Sequence, residues 1–188
     1  MQFSHVNYSI RYHRRADSKL DIVTECKCYT TESKGSISAA CLGLRSFEEV
    51  IAYCKQLSRE AYNDILNMLF FDCLTLNTDR HFENIEFFID NRTQEILGLV
   101  PIYDDNFALC PRHLPGEAFN LSDYVVRDNR SFDDLYRLVK SGKSFRRELT
   151  MLSRFRFAAP SNVECQPGRV DFLNWLIQER VAHLRKIS

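Results

Sequence analysis

Glycine is scarce in this chain of 188 residues, and its six glycines are spread along it. They are Gly35, Gly43, Gly98, Gly116, Gly142 and Gly168. No two are close enough in the sequence to form a glycine-rich loop, whose backbone amides cradle phosphates in many nucleotide-binding proteins. No apolar stretch approaches the roughly 20 residues that cross a bilayer. We therefore expect neither a glycine-rich phosphate loop nor a membrane-spanning helix.

The chain also lacks an excess of charge of either sign. Its 25 Lys and Arg residues balance 25 Asp and Glu residues, so the formal net charge is zero. Bulk electrostatics therefore gives no reason to expect a nucleic acid or an anionic membrane as partner. Arg, Tyr and His are interleaved in Ser9–Arg15. Because acidic residues follow at once, we interpret this run as a strand edge or a tail rather than a nucleic-acid-binding patch.

Cysteine is present but lacks the pattern of a disulfide framework. The seven cysteines are odd in number, spread along the chain and mostly flanked by apolar residues. Cys26 and Cys28 are separated by one residue, which is the wrong spacing for a zinc site. No signal peptide precedes the first polar residues. The sequence thus predicts buried free thiols in a reducing compartment and a soluble protein of the cytoplasm.

The remaining composition is that of a globular protein with one domain or lobe. Hydrophobic residues make up 45% of the chain and charged residues 27%. Ser46 and Glu49 have the spacing of a capping box at a helix start. Apolar periodicity and end signals predict helices over residues 46–57, 58–74, 131–142, 145–157 and 169–185. The helical part is therefore expected to lie mainly after residue 45.

Two regions have strand character. Leu20–Tyr29 is rich in β-branched and apolar residues, and the polar residues 30–43 after it are interpreted as a linker. The apolar runs Ile85–Ile89 and Ile96–Val100 flank a turn-rich segment, so they predict a β-hairpin over residues 85–101. The expected fold class is α+β, mainly helical, with one small hairpin.

Three polar residues lie around that hairpin. Asp79 precedes Asn84 by five residues, and Asp104 follows the second apolar run. In phosphoryl transfer, one carboxylate orients the attacking hydroxyl, while an amide oxygen and a second carboxylate hold Mg²⁺. Spacing alone is weak, since about half an Asp-x-x-x-x-Asn match is expected by chance in this chain. Because a helix, a loop and a hairpin would bring all three to one mouth, the context favours a site. The alternative is that Asp79 caps a turn and Asp104 lies in a solvated loop.

The segments Asn77–Glu83 with Asn84, and Pro101–Asp104, resemble the active site of HipA-like serine/threonine protein kinases, which are related to the phosphoinositide kinases. The specific resemblance covers residues 72–109, and a looser one covers residues 20–185. It implies ATP and Mg²⁺ as cofactors and a protein as substrate. The residues that it implies are Asp79 as the catalytic acid, His81 as a group that positions Asp79 or a phosphate oxygen, and Asn84 and Asp104 as cofactor and metal ligands. Without that role, His81 would be a loop residue that hydrogen-bonds to backbone.

The same resemblance divides the chain at residue 45. Residues 1–45 would be the remnant of an N-terminal lobe, with Leu20–Tyr29 as the hinge strand that hydrogen-bonds adenine, followed by a linker. Residues 46–188 would form the C-terminal lobe. Too few residues precede the hinge for a nucleotide-cradling lobe, and the phosphate-covering loop and its Lys are missing. Either the sequence is a fragment, or its N-lobe comes from another chain, or the protein has lost catalysis. The resemblance to toxin–antitoxin kinases implies an N-lobe or an antitoxin-like protein as the candidate partner chain.

Three function classes remain open at this point. The first is a serine/threonine phosphotransferase, and the second is a non-catalytic kinase-like binding module. The third is a metal-dependent phosphohydrolase that uses Asp79, His81, Asp104 and Asp105 around two metals. Asp105 stands where the family has an apolar or small residue, so it competes with Asp104 for the metal role.

Overall fold

A computed structural model describes residues 8–14, 20–104, 107–114, 116–158 and 166–188. Its strands are β1 (Tyr8–Arg14), β2 (Leu20–Cys26), β3 (Lys34–Ser38), β4 (Glu86–Asp90) and β5 (Ile96–Leu99). Its helices are α1 (Phe47–Leu57), α2 (Arg59–Thr75), α3 (Phe132–Gly142), α4 (Arg146–Leu152) and α5 (Arg169–Lys186), with one 3₁₀ turn at Leu121–Asp123. The predicted α+β class is confirmed. Within the described ranges, no helix combines the length and apolar character that a membrane crossing needs.

Two serines start the first pair of helices. Ser46 Oγ accepts the backbone N–H of Glu49 at 3.1 Å, as an N-cap does at the start of α1. The Glu49 carboxylate reaches back to the N–H of Arg45 at 2.6 Å, one residue before the position that a capping box predicts. Ser58 Oγ accepts the N–H of Ala61 at 3.0 Å and separates α1 from α2. Local side-chain hydrogen bonds therefore fix both helix starts.

Helix α2 is the centre of the core. It contacts α1, α3 and α5, and most of its residues after Asp64 are buried. Phe70 stacks on Phe145 with ring centroids 4.2 Å apart, next to Tyr136 of α3. A buried aromatic or leucine side chain contributes about 1.5–3 kcal/mol relative to an exposed one. Because α2 is packed on several sides, its C-terminal end is a fixed base for the loop that follows.

The predicted hairpin is confirmed as the antiparallel pair β4–β5, but it belongs to a larger sheet. Strand β3 pairs antiparallel with β4 from Lys34↔Asp90 to Ser38↔Glu86. The linker interpretation of residues 30–43 was therefore wrong for Lys34–Ser38. Gly35 explains part of this, because a Cβ there would lie 2.6 Å from Asn91 Oδ1. A side chain at this position would therefore require the Asn91 amide to move, so glycine suits the strand here.

Strands β1 and β2 form a separate two-stranded antiparallel sheet, with Tyr8 opposite Cys26 and Arg14 opposite Leu20. The predicted strand Leu20–Tyr29 is therefore present as far as Cys26. The hinge role and the division of the chain at residue 45 stay predictions.

Helix α4 is shorter than predicted and ends at Leu152 rather than at residue 157. A turn follows at Ser153 and Arg154. Phe157 lies outside the helix because its backbone N–H and C=O bond the side-chain amide of Asn174 on α5, at 2.6 and 3.2 Å. Tertiary hydrogen bonds therefore override an apolar pattern that continues the helix. Helix α5 matches its predicted range within one residue.

The six cysteines among the described residues are free thiols but are not uniformly buried. Cys54, Cys73 and Cys110 are buried, whereas Cys26, Cys28 and Cys41 are exposed. The expectation of buried thiols was therefore wrong for these three, and Cys165 lies outside the described residues. Burial raises the pKa of Cys54 to about 12, and that of Cys110 to about 11. Hydrogen bonds to Thr30 lower the pKa of Cys28.

The rates of cysteine alkylation should follow these differences in exposure and pKa. At pH 7.5 in the folded protein, iodoacetamide is expected to modify Cys28 at least about tenfold faster than Cys54, because only the thiolate attacks. Lowering the pKa of Cys28 increases its thiolate fraction, and raising that of Cys54 nearly eliminates it. Timed labelling with peptide mass spectrometry measures both rates, and a urea-unfolded sample is the control in which they converge. Equal rates in the folded protein would contradict the placement of Cys54.

Candidate active site

The loop that carries the predicted site begins where α2 ends. Leu76 caps the helix in the left-handed conformation, with φ of 54°, and its side chain is fully buried. The backbone N–H of Asn77 then bonds the carbonyl of Asp72 at 3.1 Å. Leu76 occupies a conformation that is costly for a large residue, so packing must hold it there. The chain thereby turns sharply and places Asp79 beyond the helix end.

A buried ion pair holds this turn from inside. Arg80 Nε lies 2.9 Å from Asp72 Oδ2, and its second nitrogen lies 3.2 Å from Asp72 Oδ1. Both side chains are fully buried. Asn77 donates to Asp72 Oδ1 at 3.0 Å and accepts the backbone N–H of Asp79 at 3.2 Å. The two-pronged geometry matches guanidinium to carboxylate, so the loop is pinned to the last turn of α2.

The third nitrogen of Arg80 connects the two halves of the site. It donates to the carbonyl of Asn84 at 3.2 Å and to the carbonyl of Tyr103 at 3.1 Å. Tyr103 directly precedes Asp104. One buried side chain therefore sets the distance between the loop before β4 and the segment after β5. Sequence reasoning named Arg80 within the motif but gave no role to it or to Asp72; the signal available was a lone Asp in an apolar helix face.

The three predicted polar residues come together around Asn84. Its Nδ2 donates to Asp104 Oδ2 at 3.2 Å and to the backbone carbonyl of Asp79 at 3.3 Å. Asn84 is buried, while Asp79 and Asp104 are partly exposed. Asp104 has φ of 55°, a left-handed conformation that Asp and Asn tolerate better than most residues. The buried Asn84 amide thus joins the backbone of Asp79 to the carboxylate of Asp104 at one opening, the mouth of the site.

The described hydrogen bond of the His81 ring stays within its own loop and does not go to Asp79. Its Nδ1 accepts the backbone N–H of Glu83 at 3.2 Å and lies 3.7 Å from the Glu83 carboxylate. Because Nδ1 accepts, a neutral ring carries its proton on Nε2. The ring is partly exposed, so Nε2–H is a donor available to an incoming anion. The expected contact with Asp79 is not among the described hydrogen bonds, and a role toward phosphate stays a prediction.

The carboxylate of Asp79 has a partner that sequence reasoning did not identify. Arg127 donates to Asp79 Oδ1 at 2.6 Å, with the Arg127 side chain 60% and the Asp79 side chain 27% exposed. Arg127 lies in the turn closed by the bridge between Val125 and Ser131. The two residues of the pair are 48 positions apart, so no local pattern in the sequence connects them.

Arg130 anchors the turn that carries Arg127. Its guanidinium bonds both oxygens of Glu48 in the first turn of α1, at 2.8 and 3.0 Å. This contact lowers the pKa of Glu48. Arg130 also lies 3.4 Å from Asp128. Arg130 therefore holds the turn to α1. Arg127, an exposed arginine of the same turn, bonds Asp79.

The oxygens at the mouth suit a small hard cation. Mg²⁺ takes carboxylate and amide oxygens, and it commonly uses only one or two protein groups besides water and phosphate oxygens. Asn84 and Asp104 supply groups of these types, although Nδ2 of Asn84, and not Oδ1, faces Asp104 here, so the amide would have to turn to offer its oxygen to a cation. In the described part of the chain, no group of three or more His, Cys, Asp or Glu side chains could hold a metal. Asp105, the competing acid, lies outside the described residues. The two-metal hydrolase interpretation therefore gains no support from the described residues.

Aromatic side chains adjoin Asp104 on the other side of the mouth. Tyr29 lies 6.2 Å from Tyr103 and 6.0 Å from Phe88 between ring centroids, and its hydroxyl donates to Glu86 at 3.1 Å. Tyr103 in turn donates to the carbonyl of Glu83 at 3.2 Å. Burial raises the pKa of Tyr103, so it remains a neutral donor. The segment after β2 is thereby brought beside the acid that follows β5.

A cavity of about 440 Å³ is lined on one side by Thr78, the residue before Asp79. Its lining residues are Thr78, Phe107, Cys110, Pro111, Arg112, His113, Glu117, Asp123, Tyr124 and Val125. Arg169 at the start of α5 holds one wall, since it donates to the carbonyls of Leu109, Cys110 and His113 at 2.8–3.1 Å. Leu109 and Cys110 both have positive φ. Arg169 therefore holds an irregular wall in place beside the mouth.

Comparisons with known proteins give structural matches but no match to a family or to a curated protein. Among solved structures, the chain is similar to a proinflammatory kinase, CtkA, from Helicobacter pylori. The identity is 16%, the TM-score is 0.49, and the alignment covers 97% of this chain and 81% of that one. At this TM-score and identity, the likeness alone assigns neither a family nor an activity to this chain.

Proposed function

We propose that this chain is the C-terminal lobe of a HipA-like, ATP-dependent protein kinase that phosphorylates a serine or threonine hydroxyl. The observation that carries the proposal is the position of Asn84, which bonds the backbone of Asp79 and the carboxylate of Asp104 at once. Phosphoryl transfer needs little covalent chemistry from the protein and depends on positioning and charge. A buried amide between two acids supplies that positioning.

Each residue then has a defined part in the transfer. The Asp79 carboxylate orients the acceptor hydroxyl and takes its proton as the oxygen attacks the γ-phosphorus of ATP. A bond forms between the acceptor oxygen and that phosphorus, the bond to the bridging oxygen breaks, and ADP leaves with the electron pair. Asn84 Oδ1 and Asp104 would hold Mg²⁺, which neutralises charge between the phosphates. In the proposal, the partly exposed His81 ring offers its Nε2–H as a donor to a phosphate oxygen.

The proposal includes a nucleotide-cradling lobe outside these 188 residues, on this polypeptide or on a second one. No two glycines of these residues are close enough to form a glycine-rich loop over phosphates. Tyr29, Phe88 and Tyr103 lie where the segment after β2 meets the mouth. This cluster supports the placement of adenine beside the hinge segment. A second chain in this role would be an N-lobe or antitoxin-like protein.

Transfer of radiolabelled phosphate from ATP to a serine and threonine peptide library tests the proposal. The isolated chain is expected to show little transfer, and the chain with a candidate N-lobe is expected to show Mg²⁺-dependent transfer. Asp104→Asn should raise the Mg²⁺ concentration for half-maximal rate by about tenfold or more, because one charged ligand is lost. Asn also tolerates the left-handed backbone at this position, so the substitution changes charge without adding strain.

Asp171→Asn is the matched control, since Asp171 is an exposed acid in the first turn of α5. It should leave the Mg²⁺ dependence unchanged. Strong transfer by the isolated chain would show that no completing lobe is needed. Absence of transfer with every candidate lobe would favour the non-catalytic binding module.

A further inference from the structure

The Asp79–Arg127 ion pair raises a chemical conflict with the proposed role of Asp79. A carboxylate oxygen that accepts a charged hydrogen bond at 2.6 Å is not available in that direction to an acceptor hydroxyl. Arginine stays protonated at any physiological pH, so Arg127 cannot take the hydroxyl proton itself. An acceptor must therefore displace Arg127 or bind beside it.

Arg127 is placed to move without disturbing the fold. Its side chain is 60% exposed, and the turn that carries it is held by Arg130 and Glu48 rather than by Arg127. Surface pairs between exposed side chains are weak, because water competes for both partners. The guanidinium can thus leave Asp79 at low cost while its backbone stays fixed at the mouth.

Once it leaves Asp79, the guanidinium of Arg127 needs another anion as its partner. It lies at the edge of the 440 Å³ cavity, because Val125 of the same turn and Thr78, the neighbour of Asp79, both line that cavity. An acceptor segment that enters the cavity passes Arg127 as its hydroxyl reaches Asp79. An acidic side chain or a phosphate next to that hydroxyl would take the guanidinium from Asp79 with two-pronged geometry.

We propose that Arg127 is a specificity-determining residue, which pairs with Asp79 in the acceptor-free protein and with an anionic group adjacent to the hydroxyl when an acceptor binds. The substrate class is therefore a serine or threonine flanked by acidic residues. This inference rests on the proposed function for its consequence in catalysis. The exchange of anions on Arg127 is a binding event, however, and is measurable without phosphoryl transfer.

Fluorescence anisotropy with labelled peptides tests the binding step in the full chain without nucleotide. A serine peptide flanked by aspartates is expected to bind about threefold to fivefold more tightly than one flanked by asparagines, the range for one exposed ion pair. Arg127→Gln should remove this preference, and Arg127→Glu should reverse it toward a lysine-flanked peptide. Arg147→Gln, at an exposed arginine on α4, is the matched control and should keep the wild-type preference.

The outcomes separate this inference from the proposed function. A preference for acidic flanks that Arg127→Gln removes supports the inference even when no N-lobe restores transfer. Equal affinity for both peptides, no measurable binding of either, or a preference that survives in Arg127→Gln and Arg127→Glu would overturn it. Transfer that occurs with no preference for acidic flanks would leave the kinase proposal standing and reject the role of Arg127. Far-ultraviolet circular dichroism of each variant confirms that the fold is retained.

Discussion

Replacement of Arg80 by methionine is expected to lower the free energy of unfolding by about 3–5 kcal/mol, because it leaves the buried carboxylate of Asp72 without its cation. The carbonyls of Asn84 and Tyr103 lose a donor in the same step. Methionine keeps much of the arginine stem, so the loss comes from charge and hydrogen bonds rather than from a large cavity. A domain of ordinary stability has about 5–15 kcal/mol in total, so the effect is large. Urea unfolding followed by circular dichroism measures it.

Two further variants identify the cause. Arg147→Met removes an exposed arginine on α4 and should change stability by less than about 0.5 kcal/mol. Asp72→Leu together with Arg80→Met removes both buried charges and should recover part of the loss of the single variant, because no buried charge is left alone. A loss below about 1 kcal/mol for Arg80→Met would contradict the assignment of the pair as the support of the loop.

Asp79→Asn is expected to lower phosphoryl transfer by about 10²–10⁴-fold, the range for loss of a general base, in the presence of the completing lobe. Asparagine keeps the shape of the side chain but does not take a proton. Stability should change little, because the Asp79 side chain is partly exposed and its described ion pair is with an exposed arginine. Single-turnover transfer of labelled phosphate gives the rate, and thermal unfolding of the same sample gives the stability.

Asp171→Asn again serves as the control for loss of one acid at an exposed position. It should transfer phosphate at the wild-type rate. Transfer by Asp79→Asn at a comparable rate would remove Asp79 from the catalytic role. A large loss of stability in that variant would instead show that the carboxylate supports the loop.

The sequence predicted the parts of the fold that depend on local periodicity. Helix α2 and helix α5 lie within one or two residues of their predicted bounds, and the hairpin β4–β5 is where alternation of apolar runs placed it. Strand β3 was missed because its polar residues read as a linker, while its pairing with β4 depends on residues about 50 positions away. The end of α4 was missed for a similar reason, since Asn174 of α5 determines it.

At the site, the sequence could predict the groups to which the proposal assigns chemistry, but not the groups that hold them in place. Asn84 and Asp104 are recognisable by residue type, order and context, and the structure brings them within 3.2 Å. Asp72 and Arg127 come from outside the loop and bond Arg80 and Asp79, while Arg130 bonds Glu48 of α1 and holds the turn that carries Arg127. An isolated charged residue in a sequence is usually solvated, so its type alone gave no signal.

The contacts of Arg80 hold the loop in place, and they are distinct from the side chains to which the proposal assigns chemistry. The Arg80 side chain donates to two backbone carbonyls and to the Asp72 carboxylate of α2. None of its described hydrogen bonds goes to the side chain of Asp79 or Asp104. Substitutions that remove the proposed function of the Asp79 carboxylate can therefore accumulate while the loop keeps its shape. A lineage with this architecture can lose an activity and retain a folded surface for partners, and the step back to activity is as short as one codon. Inactive copies are consequently expected to persist as stable proteins rather than to be cleared as misfolded chains.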